Sequence, residues 1–170
     1  MSTLGKLTEH LITPRPPSKG VGFLRFVTSK KAHSLLPVPM QQHLYLIRGI
    51  PGSGKSTFAN ECLNAFIVCE ADMWFDKFNG GIFDATHLSH AHTWCLEEAK
   101  QGLILGHNVA VANTFTRRWE MQHYYDMVAK LTADSEFKIK IFEIIANGAF
   151  DNVHNVPEAK VREMQRRFEF

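Results

Sequence analysis

The residues with the clearest chemical meaning are Gly49-Ile50-Pro51-Gly52-Ser53-Gly54-Lys55-Ser56-Thr57. Glycines at this spacing let the backbone curl until several N–H groups point inward at one anion, and a following helix adds its partial positive N-terminus. Lys55 supplies a mobile cation for β- and γ-phosphate oxygens, and the Ser56 hydroxyl is a ligand for Mg²⁺. The expectation is a P-loop for a nucleoside triphosphate, ATP with Mg²⁺, bound by Gly49 through Thr57. The spacing is specific because a strand pattern precedes it and a helix pattern follows it.

Two acids, Glu70 and Asp72, follow the next strand pattern. A carboxylate there can accept the proton of an attacking hydroxyl or help position Mg²⁺. Asp72 is the expected base, since the strand would carry it toward the loop; a helix cap or solvated turn acid is the plainer alternative. Asn113 ends the third strand pattern. His87, His90 and His92 lack the i,i+4 spacing of zinc-binding pairs and partner cysteines, which points to packed or surface histidines. Trp74 and Phe75 stand near the expected substrate crevice, where base stacking competes with ordinary packing. Arg117, Arg118, Arg162, Arg166 and Arg167 are candidate phosphate contacts or solvated surface residues.

These groups need a scaffold. From His43 onward strand and helix patterns alternate: His43–Arg48, a helix Lys55–Ala65, a strand Phe66–Cys69, a helix from about Thr86 to Leu105, and a strand Asn108–Ala112. Gly106 is placed to end the long helix in αL. Thr116 is a candidate cap for a helix carrying Trp119, Tyr124, Met127, Val128 and Leu131. A strand Phe137–Ile145 and a last helix from Pro157 through Phe168 complete the series. Repeated β-α-β units imply an α/β P-loop NTPase fold, a three-layer arrangement with a short parallel sheet and helices on both faces. The ligand crevice then lies at the carboxyl ends of the strands.

Residues 1–42 form a separate, basic, proline-containing extension, with a strand-like stretch Gly22–Val27, ahead of an ATP-binding domain at 43–170. Loose terminal chain, a phosphate-contacting arm and a transit peptide remain open readings. The 170 residues, 45% hydrophobic and 21% charged, are ordinary for a globular domain, and a net charge of +2 does not require a nucleic-acid partner. Cys62, Cys69 and Cys95 are odd in number and lack C-x-x-C spacing, as expected of reduced thiols in a cytoplasmic protein. No apolar run reaches the roughly 20 residues of a membrane span, so no membrane partner is expected.

The stretch Leu44 to Phe168 resembles the 5′-kinase domain of phage polynucleotide kinase and its wider group of small P-loop kinases. It resembles still more the polynucleotide-kinase-like domain of animal ubiquitin-ligase-binding proteins. The matching strings are Arg48 through Thr57, Ala71-Asp72-Met73-Trp74-Phe75, Gly81-Ile82-Phe83-Asp84, Ala91-His92-Thr93-Trp94, Asn113-Thr114, Trp119-Glu120-Met121, and Val156-Pro157 through Arg167-Phe168-Glu169. The resemblance implies ATP-dependent transfer to a hydroxyl, either a nucleic-acid 5′ end or a small hydroxyl compound such as a nucleoside or sugar. It supports Lys55 and Ser56 as phosphate and metal contacts and Asp72 as base. Two departures point the other way, toward an ATP-binding interaction module with a protein partner. Ala112 stands where the family has an Asp, and the lid Asn147–Asn155 contains no Arg or Lys.

Overall fold

A computed structural model describes residues 41–170 except 64, 66, 134–137 and 152–155, and the side chain of Cys62. Residues 1–40 of the N-terminal extension with its strand-like stretch, the strand positions Phe66 and Phe137, and the lid residues Asn152 to Asn155 lie outside the described residues, whereas Gln42, expected in the extension, is buried and opens the first strand.

Four strands, β1 (Gln42–Arg48), β2 (Ile67–Cys69), β3 (Val109–Ala112) and β4 (Ile139–Ile145), form one sheet in the order β2-β3-β1-β4. Every pairing is parallel: Leu46 lies beside Val111 and also beside Glu143, and Val68 beside Ala110. Because side chains alternate along a strand, the sheet presents two different faces. Leu44, Leu46, Val109 and Val111 point one way, into a core completed by Cys95, Ala99 and Leu103 of α3 (Leu88–Ile104) and Tyr124, Met127 and Val128 of α4 (Gln122–Ala133). Ile47, Ala110 and Ala112 point the other way, against Ala59 and Phe58. The alanines on that face keep the sheet surface low beneath the segment that follows the glycine loop. A short helix α2 (Asp72–Phe78) packs Ala71 and Phe75 against Ala91 of α3, and α5 (Glu158–Arg167) follows β4.

Several expected boundaries shift. The helix after the loop is α-helical for α1 (Lys55–Thr57) only, widens to a π-helical stretch over Phe58–Cys62, and gives way to extended backbone at Leu63. The amide of Asn60 bonds the Ser56 carbonyl at 2.8 Å inside this stretch, and π segments of this kind recur at functional sites. Helix α2 was not evident from periodicity, being seven residues long and rich in aromatics. Thr116 is not the cap it was expected to be. It is fully buried, and the next turn, a 3-10 turn at Arg118–Met121, starts after Arg117, whose N–H donates to Glu120 at 3.1 Å. Trp119 consequently precedes α4 and is exposed, not part of its apolar face. Gly106 has φ +89°, the left-handed stop expected for α3.

Candidate nucleotide-binding site

The glycine loop joins β1 to α1 at the carboxyl end of the sheet. Two of its glycines are required by geometry. A Cβ on Gly49 would stand 2.4 Å from Ser53 Oγ and 2.5 Å from the Ala146 carbonyl oxygen, so even alanine does not fit. Gly54 has φ +87°, a left-handed turn that delivers the chain into α1.

Donors gather in this loop. Lys55 Nζ donates to its own loop's Ile50 carbonyl at 2.9 Å, and the buried Ser53 hydroxyl makes no hydrogen bond among the described residues. A buried hydroxyl without a partner costs about 1–3 kcal/mol, and a phosphate oxygen is the kind of acceptor that would remove the cost. Burial lowers the pKa of Lys55, and the carboxylates of Glu70 and, less strongly, Asp72 oppose that shift. Both acids therefore stand within electrostatic reach of the lysine.

Their placement differs. Glu70 is nearly buried, and its Oε2 accepts the Ser56 hydroxyl at 2.8 Å. Asp72 is exposed in the first turn of α2. A hydroxyl and a carboxylate side by side are hard oxygen ligands of the type Mg²⁺ takes, so Ser56 and Glu70 would hold such a cation beside the loop. Asn113 proves to be a clamp. Its Oδ1 accepts the Ala71 N–H at 2.9 Å and its Nδ2 donates to Cys95 Sγ at 3.5 Å, which ties the Glu70-Ala71-Asp72 turn to the end of β3. Neither the Glu70 contact nor the clamp follows from local spacing. The one available signal was a polar residue ending each of two neighbouring strand patterns.

Other expected residues go elsewhere. Phe75 is buried, and Trp74 stacks on His87 and His90 at ring separations of 5.5 and 6.4 Å, so these rings pack among themselves on α2 and α3. Among the described residues no cluster of three His, Cys, Asp or Glu side chains is placed to hold a metal. Cys69 and Cys95 are buried thiols outside any disulfide, and burial pushes Cys69 up to about 12.

The arginines are largely engaged within the domain. Arg162 pairs with Glu158, Arg167 with Glu163 at 3.6 Å, Arg117 with Glu169 at 2.8 Å, and Arg118 lies 4.0 Å from Glu143, which also accepts the Tyr125 hydroxyl. Arg48, just before the loop, stood out in the sequence only by its place in the strand and at the head of the loop string. It is fully buried, donates to the Phe115 carbonyl from Nε at 3.1 Å and Nη2 at 2.9 Å, and lies 4.8 Å from the centre of the Phe168 ring. Phe115 has φ +38°, a left-handed conformation rare for an aromatic residue, and these two bonds hold it.

A parallel sheet ordered β2-β3-β1-β4 with a glycine–lysine loop after β1 defines the class: an α/β P-loop NTPase fold. A family model described as an AAA domain matches residues 44–170, and the chain belongs to that family. Among curated proteins it is 30% identical over 138 residues to NEDD4-binding protein 2 of Homo sapiens, a match covering 74% of this chain and 8% of that protein. The chain thus spans less than a tenth of that relative's length. Among solved structures it is similar to the Pnkp1/Rnl/Hen1 complex, with 17% identity, TM-score 0.47, and coverage of 72% of this chain and 38% of that one. It is also similar to the Mycobacterium tuberculosis APS kinase CysC in complex with AMPPNP and APS, with 18% identity, TM-score 0.47, and coverage of 76% and 69%. No described helix is long and apolar enough to cross a membrane.

Proposed function

We propose that this domain binds ATP with Mg²⁺ and transfers the γ-phosphoryl group to a hydroxyl, with a polynucleotide 5′-hydroxyl as the leading acceptor. The observation that carries the reading is the convergence at one end of the sheet of Lys55, the Ser56–Glu70 pair and Asp72. In this reading the amides of Gly49 to Thr57 cradle the phosphates and Lys55 neutralises the β/γ oxygens. Ser56, backed by Glu70, would hold the metal, whose positive charge would offset that of the phosphate oxygens. Asp72 takes the proton of the acceptor hydroxyl as its oxygen bonds to the γ-phosphorus. The bond from that phosphorus to the β–γ bridging oxygen breaks, and ADP leaves. The basic N-terminal segment favours a nucleic acid over a small hydroxyl compound such as a nucleoside or sugar.

The engaged arginines favour a second reading, an ATP-binding interaction module with reduced chemistry. Arg117, Arg118, Arg162 and Arg167 are paired with carboxylates, and the described lid residues offer no cation for the transferring phosphoryl group. Where such a cation is used, its loss costs several kcal/mol.

Incubation with γ-labelled ATP and Mg²⁺, against 5′-hydroxyl oligonucleotides, nucleosides and protein alone, separates these readings. Label on an oligonucleotide above a Lys55→Ala control supports the kinase. Saturable ATP binding with no label anywhere supports the module.

A further inference from the structure

The backbone leaving β4 crosses the phosphate loop and is strapped to it. The N–H of Gly148 donates to the Ser53 carbonyl at 3.2 Å and the N–H of Phe150 to the Gly52 carbonyl at 2.9 Å. The Phe150 ring rests on glycine. A Cβ at Gly54 would meet its Cε2 at 2.8 Å, and one at Gly148 would meet the same atom at 2.3 Å. The ring is nevertheless 70% exposed, so it lies seated on backbone with much of its surface turned to solvent beside the loop.

Its side of the loop is informative. The sheet order places β3 and β2, with Asn113, Glu70 and Asp72 at their ends, on one flank of β1, and β4 with its strap on the other. The metal pair and the candidate base thus mark the flank of the terminal phosphate. A triphosphate whose γ end lies by Lys55 and Glu70 directs its nucleoside toward the opposite flank, where Phe150 waits. The lid sequence Asn147–Asn155 has no Arg or Lys to lie over a base, and Phe150 is its one Phe, Tyr or Trp.

We infer that Phe150 is the platform on which the base of the bound nucleoside triphosphate stacks, and that Gly148 and Gly54 are the seat that sets the ring's plane. The inference rests on the nucleotide-binding reading of the P-loop. Stacking on a ring face is tolerant of base identity, so this contact strengthens binding of ATP and GTP alike and contributes nothing to a ligand without a base.

The test compares Mg²⁺-dependent binding of ATP, GTP and inorganic tripolyphosphate by the full chain and by its Phe150→Ala, Phe150→Trp, Gly148→Ala and Lys55→Ala variants. Phe150→Ala should weaken both nucleotides about tenfold and leave tripolyphosphate unchanged. Phe150→Trp should retain nucleotide affinity and add indole fluorescence that ATP quenches and tripolyphosphate does not. Gly148→Ala should reproduce the Phe150→Ala pattern by displacing the ring. Equal effects of Phe150→Ala on nucleotides and tripolyphosphate, in either direction, or no effect on any of them, would overturn the inference. Lys55→Ala reads the P-loop independently. If it leaves tripolyphosphate binding intact, the nucleotide-binding reading itself fails.

Discussion

Asn113 and Ala71 are 42 residues apart in sequence and joined by one hydrogen bond, Ala71 N–H to Asn113 Oδ1 at 2.9 Å, in a buried setting. This bond fixes the turn bearing Glu70 and Asp72 against the end of β3. Removing the acceptor strands a buried backbone donor, at a cost of about 1–3 kcal/mol. Asn113→Ala should lower thermal stability by that amount and reduce phosphoryl transfer, or ATP binding if transfer is absent. Asn113→Asp keeps the acceptor oxygen and should retain more of both. Equal behaviour of the two variants in a melt and in an ATP titration would remove the clamp role.

Glu70 and Asp72 should separate by phenotype. Glu70 accepts the Ser56 hydroxyl, and loss of a group that orients a metal ligand typically weakens metal affinity about 10–100-fold. Glu70→Ala should therefore raise the Mg²⁺ concentration needed for half-maximal ATP binding. Asp72→Asn should leave ATP binding nearly unchanged and abolish transfer. Full transfer by Asp72→Asn would exclude Asp72 as the base.

The buried Arg48 guanidinium donates twice to the Phe115 carbonyl. Hydrogen bonds from charged donors contribute about 1.5–3 kcal/mol. Arg48→Met keeps much of the side-chain volume against Phe168 and loses the charged donor; at about 2–4 °C per kcal/mol for a chain of this size, Tm should fall by roughly 3–12 °C. An unchanged Tm would show that the Phe115 turn holds itself.

Glu169 gives a pH signature. The Arg118 N–H, followed by the Arg117 side chain, lowers its pKa below the ordinary 4.5. A carboxylate lowered in the folded state stabilises fully above its unfolded pKa, and the contribution disappears as pH falls through the folded value. The Tm difference between the native chain and Glu169→Gln should hold from pH 7 down to about 5 and shrink below the ordinary carboxylate pKa of 4.5. A difference that grows on acidification contradicts the assignment.

Much of this protein is written locally. The phosphate loop was legible because its function needs particular residues within nine positions: glycine where a Cβ collides or φ is positive, then Lys55 and Ser56 at the helix start. The strands were legible because their hydrophobic patterns report burial, and the sheet they imply is the one found. Helix α2, seven residues long, was not legible, because two turns of aromatic-rich chain leave little periodicity to read. Nor was the use of the acids. Sequence offered Glu70 and Asp72 as alternatives two residues apart, whereas the tertiary structure buries the first against Ser56 and leaves the second exposed on α2. The pairings Ser56–Glu70, Asn113–Ala71 and Arg48–Phe115 depend on which strands become neighbours. That order, β2-β3-β1-β4, exists only in the packed sheet, with separate clusters of side chains on its two faces. No residue period within one strand records which strand will lie beside it, so only the packed chain decides these contacts.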